Sequence, residues 1–149
     1  MTKTVYTTHS PEETIALAQK IGAKLKAGDV IAYLGDLGAG KTTFTRGLAA
    51  GMGLPDLVTS PTFALVHTYG TEDRMLCHFD MYRIEGEEEL ETTGFYDYPM
   101  EECVFAIEWS ENITSALPEN TIRITLERLG DEERKITIEG DERFADTGT

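Results

Sequence analysis

With 149 residues, 40% of them apolar and 27% charged, the chain has the size and composition of one globular domain, which argues against wholesale disorder. Its formal charge of −14, from 27 acids against 13 bases, repels polyphosphate backbones and argues against a chain that grips RNA or DNA unaided. A basic protein partner, or a nucleotide carrying magnesium, suits that charge.

The N-terminus, MTKTVYTTHSPEE, lacks the apolar core of a signal peptide, and no apolar run approaches the roughly 20 residues of a membrane helix, so a soluble, cytoplasmic protein is expected. Lys3 to Thr7 alternate around Val5 and predict a short edge strand. Ser10-Pro11-Glu12-Glu13 then reads as a helix start: the Ser10 hydroxyl can accept the amide of Glu13, Pro11 suits the first turn, and the acids suit the positive dipole end. Ile15, Ala18, Ile21 and Leu25 recur at helical spacing, with Gly28 as the expected stop. Val30 to Leu34 is a continuous apolar run, the pattern of a strand buried on both faces. It feeds the stretch GDLGAGKTTF, after which Phe44, Leu48 and Met52 mark one face of a helix ending near Gly53.

Phe63 to Tyr69 and Met75 to Asp80 flank a short polar connection and predict an antiparallel hairpin. Glu85 to Glu91 reads as an acidic helix closed by Gly94, Val104 to Ile107 as another buried strand, and Asn120 to Arg128 with Arg134 to Glu139 as a last hairpin around Gly130-Asp131. Cys77 and Cys103 form no spaced framework and read as buried thiols in a reducing compartment. The expected fold is α/β: a P-loop NTPase-like three-layer domain over residues 1–140, with a mixed sheet of about seven strands flanked by helices, and a frayed tail over 141–149.

Gly35 to Thr42 match G-x-x-x-x-G-K-[ST]. Gly35, Gly38, Ala39 and Gly40 allow backbone amides to turn toward phosphate oxygens with little or no side chain in the way. The helix opening near Lys41 aims free amides at the anion, Lys41 brings a mobile positive charge to the outer phosphates, the Thr42 hydroxyl can ligate magnesium, and Thr43 can bond an inner phosphate. A glycine-rich turn with an incidental lysine is the plainer alternative, and the buried strand before the loop and helix after it count against that. ATP or ADP with Mg2+ is the expected ligand, because the Asn-Lys-x-Asp motif that reads guanine is absent: neither Asn112 nor Asn120 is followed by lysine.

Magnesium on such a loop calls for a carboxylate at a neighbouring strand end, and Asp80 and Glu108 both qualify, one for the metal and the other for the water or γ-phosphate side. Thr62, in the proline-bent Ser60-Pro61-Thr62-Phe63, is a candidate switch to metal or γ-phosphate. His9, His67 and His78 have no metal-ligand spacing and read as surface or packing residues, His78 being nearest the site, two residues from Asp80. Trp109 is expected in the core beside Glu108.

GDLGAGKTTF, VTSPTFALVHTY, HFDMYRI, an acidic helix with EEL, and AIEWSE, in this order and spacing, resemble the bacterial TsaE family, formerly YjeE, from about Ser10 to Glu139. The resemblance implies a small ATPase needed to make N6-threonylcarbamoyladenosine at position 37 of tRNAs that decode ANN codons. It implies two larger partners, TsaB and TsaD, a complex that ATP binding and hydrolysis reset between turnovers, and tRNA held only through those partners. By the same resemblance Gly38 to Thr43 are the phosphate-binding run, Thr42 the magnesium hydroxyl, Thr62 the switch-like threonine, Asp80 the Walker-B-type acid and Glu108 the acid of a second switch-like segment. Ser10 falls where the family brings its first helix near the base. The acids of Glu85 to Glu91 would suit docking on a basic partner face. Two other readings stand beside this one. A small-molecule kinase would carry a lid with clustered arginines, whereas the arginines here are scattered singly. In a nucleotide-gated interaction module hydrolysis would be incidental.

Overall fold

The computed structural model describes residues 2–35, 40–54, 57–59, 66–71, 74–80, 101–108, 117–140 and 142–144. In chain order these form β1 (Thr2–Thr8), α1 (Pro11–Gly22), β2 (Val30–Gly35), α2 (Lys41–Gly51), β3 (Leu57–Thr59), β4 (Val66–Thr71), β5 (Arg74–Asp80), β6 (Val104–Glu108), β7 (Ile122–Arg128) and β8 (Arg134–Gly140), followed by a 3-10 turn at Glu142–Phe144.

All eight strands belong to one sheet, in the order β1-β8-β7-β2-β6-β5-β4-β3. The inner strands β7, β2, β6 and β5 run parallel, and an antiparallel pair extends each side. This is the mixed sheet expected, with both hairpins in place; the strand that sequence patterning does not show is β3, too short to display a period. The expected acidic helix at Glu85 to Glu91 lies outside the described residues.

α1 starts as its sequence dictates. The Ser10 hydroxyl accepts the Glu13 amide at 3.2 Å, and the Glu13 carboxylate reaches back to the His9 amide at 2.7 Å, a bond that holds its carboxyl below the usual carboxylate range. The helix stops earlier than expected, at Gly22 and not at Gly28. Ala23 donates to Gln19 at 3.0 Å, and the Asp29 carboxylate accepts the Lys26 amide at 2.8 Å, a local bond that competes with helix continuation. Leu25 still enters the core, and Gly28, at φ +95°, makes the turn into β2.

Strand alternation divides the apolar residues. Ile31, Tyr33, Leu76, Val104, Ala106, Ile122, Ile124 and Leu126 pack with Leu17, Ala18 and Ile21 of α1 and Phe44, Leu48 and Met52 of α2. The intervening Ala32, Cys77, Phe79, Phe105 and Ile107 are also buried, with the Phe79 and Phe105 rings 5.1 Å apart. Both cysteines are free, buried thiols, as their spacing implied, and burial pushes each above the ordinary thiol range. Within residues 141–149, Glu142–Phe144 form a 3-10 turn in which Phe144 is fully buried, and Arg143 makes two bonds to the Asp29 carboxylate, at 2.9 and 3.0 Å, and one to the Lys24 carbonyl at 3.0 Å. Among the described residues no helix is long and apolar enough to cross a membrane.

Candidate functional site

Four parallel strands point their C-terminal ends at one edge of the sheet, and the motif residues gather there. β2 ends on Gly35, at φ +115°, opposite Leu126 of β7. A β-carbon at Gly35 would collide with the Leu126 carbonyl, so the motif's first glycine is required by the sheet as well as by its dihedral angle. Residues 36–39 lie outside the described residues, Gly38 and Ala39 with them. The chain resumes at Gly40, the N-cap of α2, at φ +97°, with nothing within 4 Å of where a β-carbon would stand.

The start of α2 is electrostatically open. No side chain caps it and no acid sits in its first turn, in contrast to α1, which has both. The leading amides and the dipole therefore present positive potential that no acid within that first turn answers. Lys41 adds to it: its ammonium reaches back across the loop to donate to the Gly35 carbonyl at 3.4 Å. Thr43 is exposed on the same turn, and Thr42 is placed through its backbone only. These features suit an anion with several oxygens, which is the physical test a phosphate chain has to meet.

Asp80 and Glu108 are register partners at the ends of the adjacent strands β5 and β6, so the sheet brings the two acids side by side at the edge where β2 delivers the loop. Asp80 is described through its backbone. The Glu108 side chain is only 17% exposed and takes a 2.7 Å hydrogen bond from Nε2 of His78, itself 4% exposed. His78 was read from sequence as a surface or packing residue; it is a buried partner of the site acid. Its signal was available in strand periodicity, since His78 pairs with Ala106 and Glu108 lies two residues further along, on the same face.

A second polar chain runs from that histidine to α2. The Tyr33 and His78 rings meet edge to face with centroids 6.0 Å apart, and the Tyr33 and Thr45 hydroxyls lie 2.7 Å apart. Thr45 donates its one proton to the Lys41 carbonyl at 2.8 Å, so it is Tyr33 that donates to Thr45. Burial, with the Glu108 charge adding, pushes the Tyr33 phenol far above its ordinary range, and it stays neutral.

Ser10 spends its hydroxyl on the α1 cap, while Thr62 and Trp109 lie outside the described residues. Among the described residues no group of three or more His, Cys, Asp or Glu gathers in a metal-binding arrangement. Thr42, Asp80 and Glu108 are nonetheless hard oxygen donors, the chemistry magnesium takes.

The model of a family described as Threonylcarbamoyl adenosine biosynthesis protein TsaE matches residues 8–136. The tRNA threonylcarbamoyladenosine biosynthesis protein TsaE of Bacillus subtilis (strain 168) is 44% identical over 131 residues, 88% of this chain and 82% of that one. Its counterpart in Treponema pallidum (strain Nichols) is 39% identical over 135 residues, covering 87% and 95%. The crystal structure of Bacillus subtilis YdiB superposes with a TM-score of 0.70 at 35% identity, covering 96% of this chain and 89% of that one.

Proposed function

This chain belongs to the TsaE family of tRNA threonylcarbamoyladenosine biosynthesis proteins, and on that premise we propose that it is the magnesium-dependent, ATP-hydrolysing member of a cytoplasmic complex with TsaB and TsaD. In this reading the complex makes N6-threonylcarbamoyladenosine at position 37 of tRNAs reading ANN codons, and hydrolysis resets TsaB–TsaD between turnovers. The observation that carries the reading is the uncapped, acid-free start of α2, with Lys41 beside it, at the sheet edge that also bears Glu108.

The amides of Gly40 to Thr43 and the Lys41 ammonium bind the phosphate chain of ATP or ADP, helped by Gly35, Gly38 and Ala39. Thr42 and Asp80 would hold magnesium, which would supply charge neutralisation for the phosphates. Glu108 would serve either that metal or the attacking water, and its largely buried carboxylate is suited to orienting a water and accepting a proton from it. Thr62 would reach the metal or the γ-phosphate, and Ser10 would border the base. The net charge of −14 is left for a basic face of the partners, which carry the tRNA.

Phosphate release from ATP by the purified chain, alone and with TsaB and TsaD, tests this: slow release alone and faster release in the complex is expected, and equal rates would overturn the coupling. Lys41→Ala should abolish nucleotide binding or turnover in the same assay. Glu108→Ala should keep nucleotide affinity, read by titration, yet slow release by about 10²-fold or more. Wild-type turnover in Glu108→Ala would remove the role assigned to that acid.

A further inference from the structure

Glu108 is the last residue of β6, so the sheet fixes its backbone while the side-chain torsions of a glutamate remain to be set. Three observations bear on what sets them. His78 Nε2 lies 2.7 Å from Glu108 Oε2, a short charge-assisted bond if the carboxylate is ionised, in which the imidazole is the donor. The imidazole is almost completely buried and meets the Tyr33 ring edge to face. Tyr33 is in turn fixed through Thr45 to the carbonyl of Lys41, the residue that opens the phosphate-loop helix.

We propose that His78 is a positioning residue for Glu108: it holds the carboxylate in the one orientation that serves hydrolysis, and Tyr33 and Thr45 tie that orientation to the first turn of α2. The proposal rests on the role given to Glu108 above. It assigns His78 no contact with nucleotide, metal or water. A histidine acting in this way should govern turnover and leave ground-state binding alone, because α2 and Lys41 keep their places when the imidazole is replaced. A purely structural histidine would lower stability and leave turnover of the folded protein unchanged.

The test uses the full chain with TsaB and TsaD, and compares wild type with His78→Leu, His78→Gln and each combined with Glu108→Gln. His78→Leu should lower kcat about tenfold or more with KM for ATP changed by less than about threefold. His78→Gln, whose amide nitrogen can stand near the Nε2 position, should recover most of the loss. In the Glu108→Gln background, His78→Leu should add nothing, since it acts through an acid no longer there. An unchanged kcat in folded His78→Leu, or a full additional loss in the Glu108→Gln background, would overturn the proposal.

A second readout keeps it testable if the leucine variant does not fold or the wild type releases no phosphate. The imidazole Nε2–H proton of His78, followed by NMR in the nucleotide-free chain, should resonate far downfield and move upfield in Glu108→Gln. A resonance that stays put in that variant overturns the proposal. A wild type that shows the resonance but no hydrolysis instead sinks the ATPase reading and leaves the geometry standing.

Discussion

Tyr33 and Phe44 meet edge to face, with centroids 6.2 Å apart, and the buried Tyr33 hydroxyl lies 2.7 Å from that of Thr45. Replacing Tyr33 by phenylalanine removes one oxygen and keeps the ring. Thr45 still gives its proton to Lys41, so the loss is one buried bond. Tyr33→Phe should therefore destabilise the chain by about 0.5–1.5 kcal/mol, measured as a shifted denaturant midpoint at unchanged m. Residues whose roles are local were legible from sequence. Ser10 caps the helix that opens at the next residue by accepting an amide three residues on, and Lys41 opens α2 directly after the glycine-rich stretch. His78 was legible as the histidine nearest the site, but its bond to Glu108 was not, because that partner lies 30 residues along the chain and meets it through strand register.

At the scale of elements, α1 and α2 cross on glycine. A β-carbon at Gly22 would collide with the carbonyl of Leu48, one at Gly51 with that of Gln19, and one at Gly47 would stand 2.6 Å from the Ala18 side chain. The two backbones thus approach more closely than ordinary helices do. Gly47→Ala should force them apart at a cost of about 1–3 kcal/mol despite alanine's better helix propensity, and thermal denaturation would show it as a lowered Tm. A stabilised variant would mean that the crossing yields easily. The buried strands announced themselves as apolar runs, and α2 as a spaced face. The end of α1 did not, because periodicity continues through Leu25 while the Asp29 carboxylate and Gly28 have already committed the chain to a turn. No local pattern reports that competition.

For the whole molecule, the two ends of the sequence are held together. β1 pairs with β8, and Arg143 crosses to Asp29, a carboxylate 7% exposed that accepts from the guanidinium and from the Lys26 amide. Arg143→Ala would leave that buried carboxylate with part of its hydrogen bonding removed. A loss of about 1–3 kcal/mol is expected, the arginine being partly exposed, with little change in nucleotide affinity of the folded chain, since Arg143 lies on no element that carries the phosphate loop. The polar composition of residues 140–149 concealed this, because one phenylalanine and one arginine in a weakly patterned stretch carry no period.

The position of β2 in the sheet also has a consequence in time. The strand that delivers the phosphate loop lies between β6 and β7, both made much later on the chain. A ribosome that has released everything through β5 has already synthesised the loop and its lysine, yet neither neighbour of the loop's strand exists. The candidate site is therefore among the first parts to be translated and among the last to be assembled, and its completion waits on contacts of long sequence separation. On the function proposed above, a growing chain would not hold ATP in this loop before β6 and β7 have emerged.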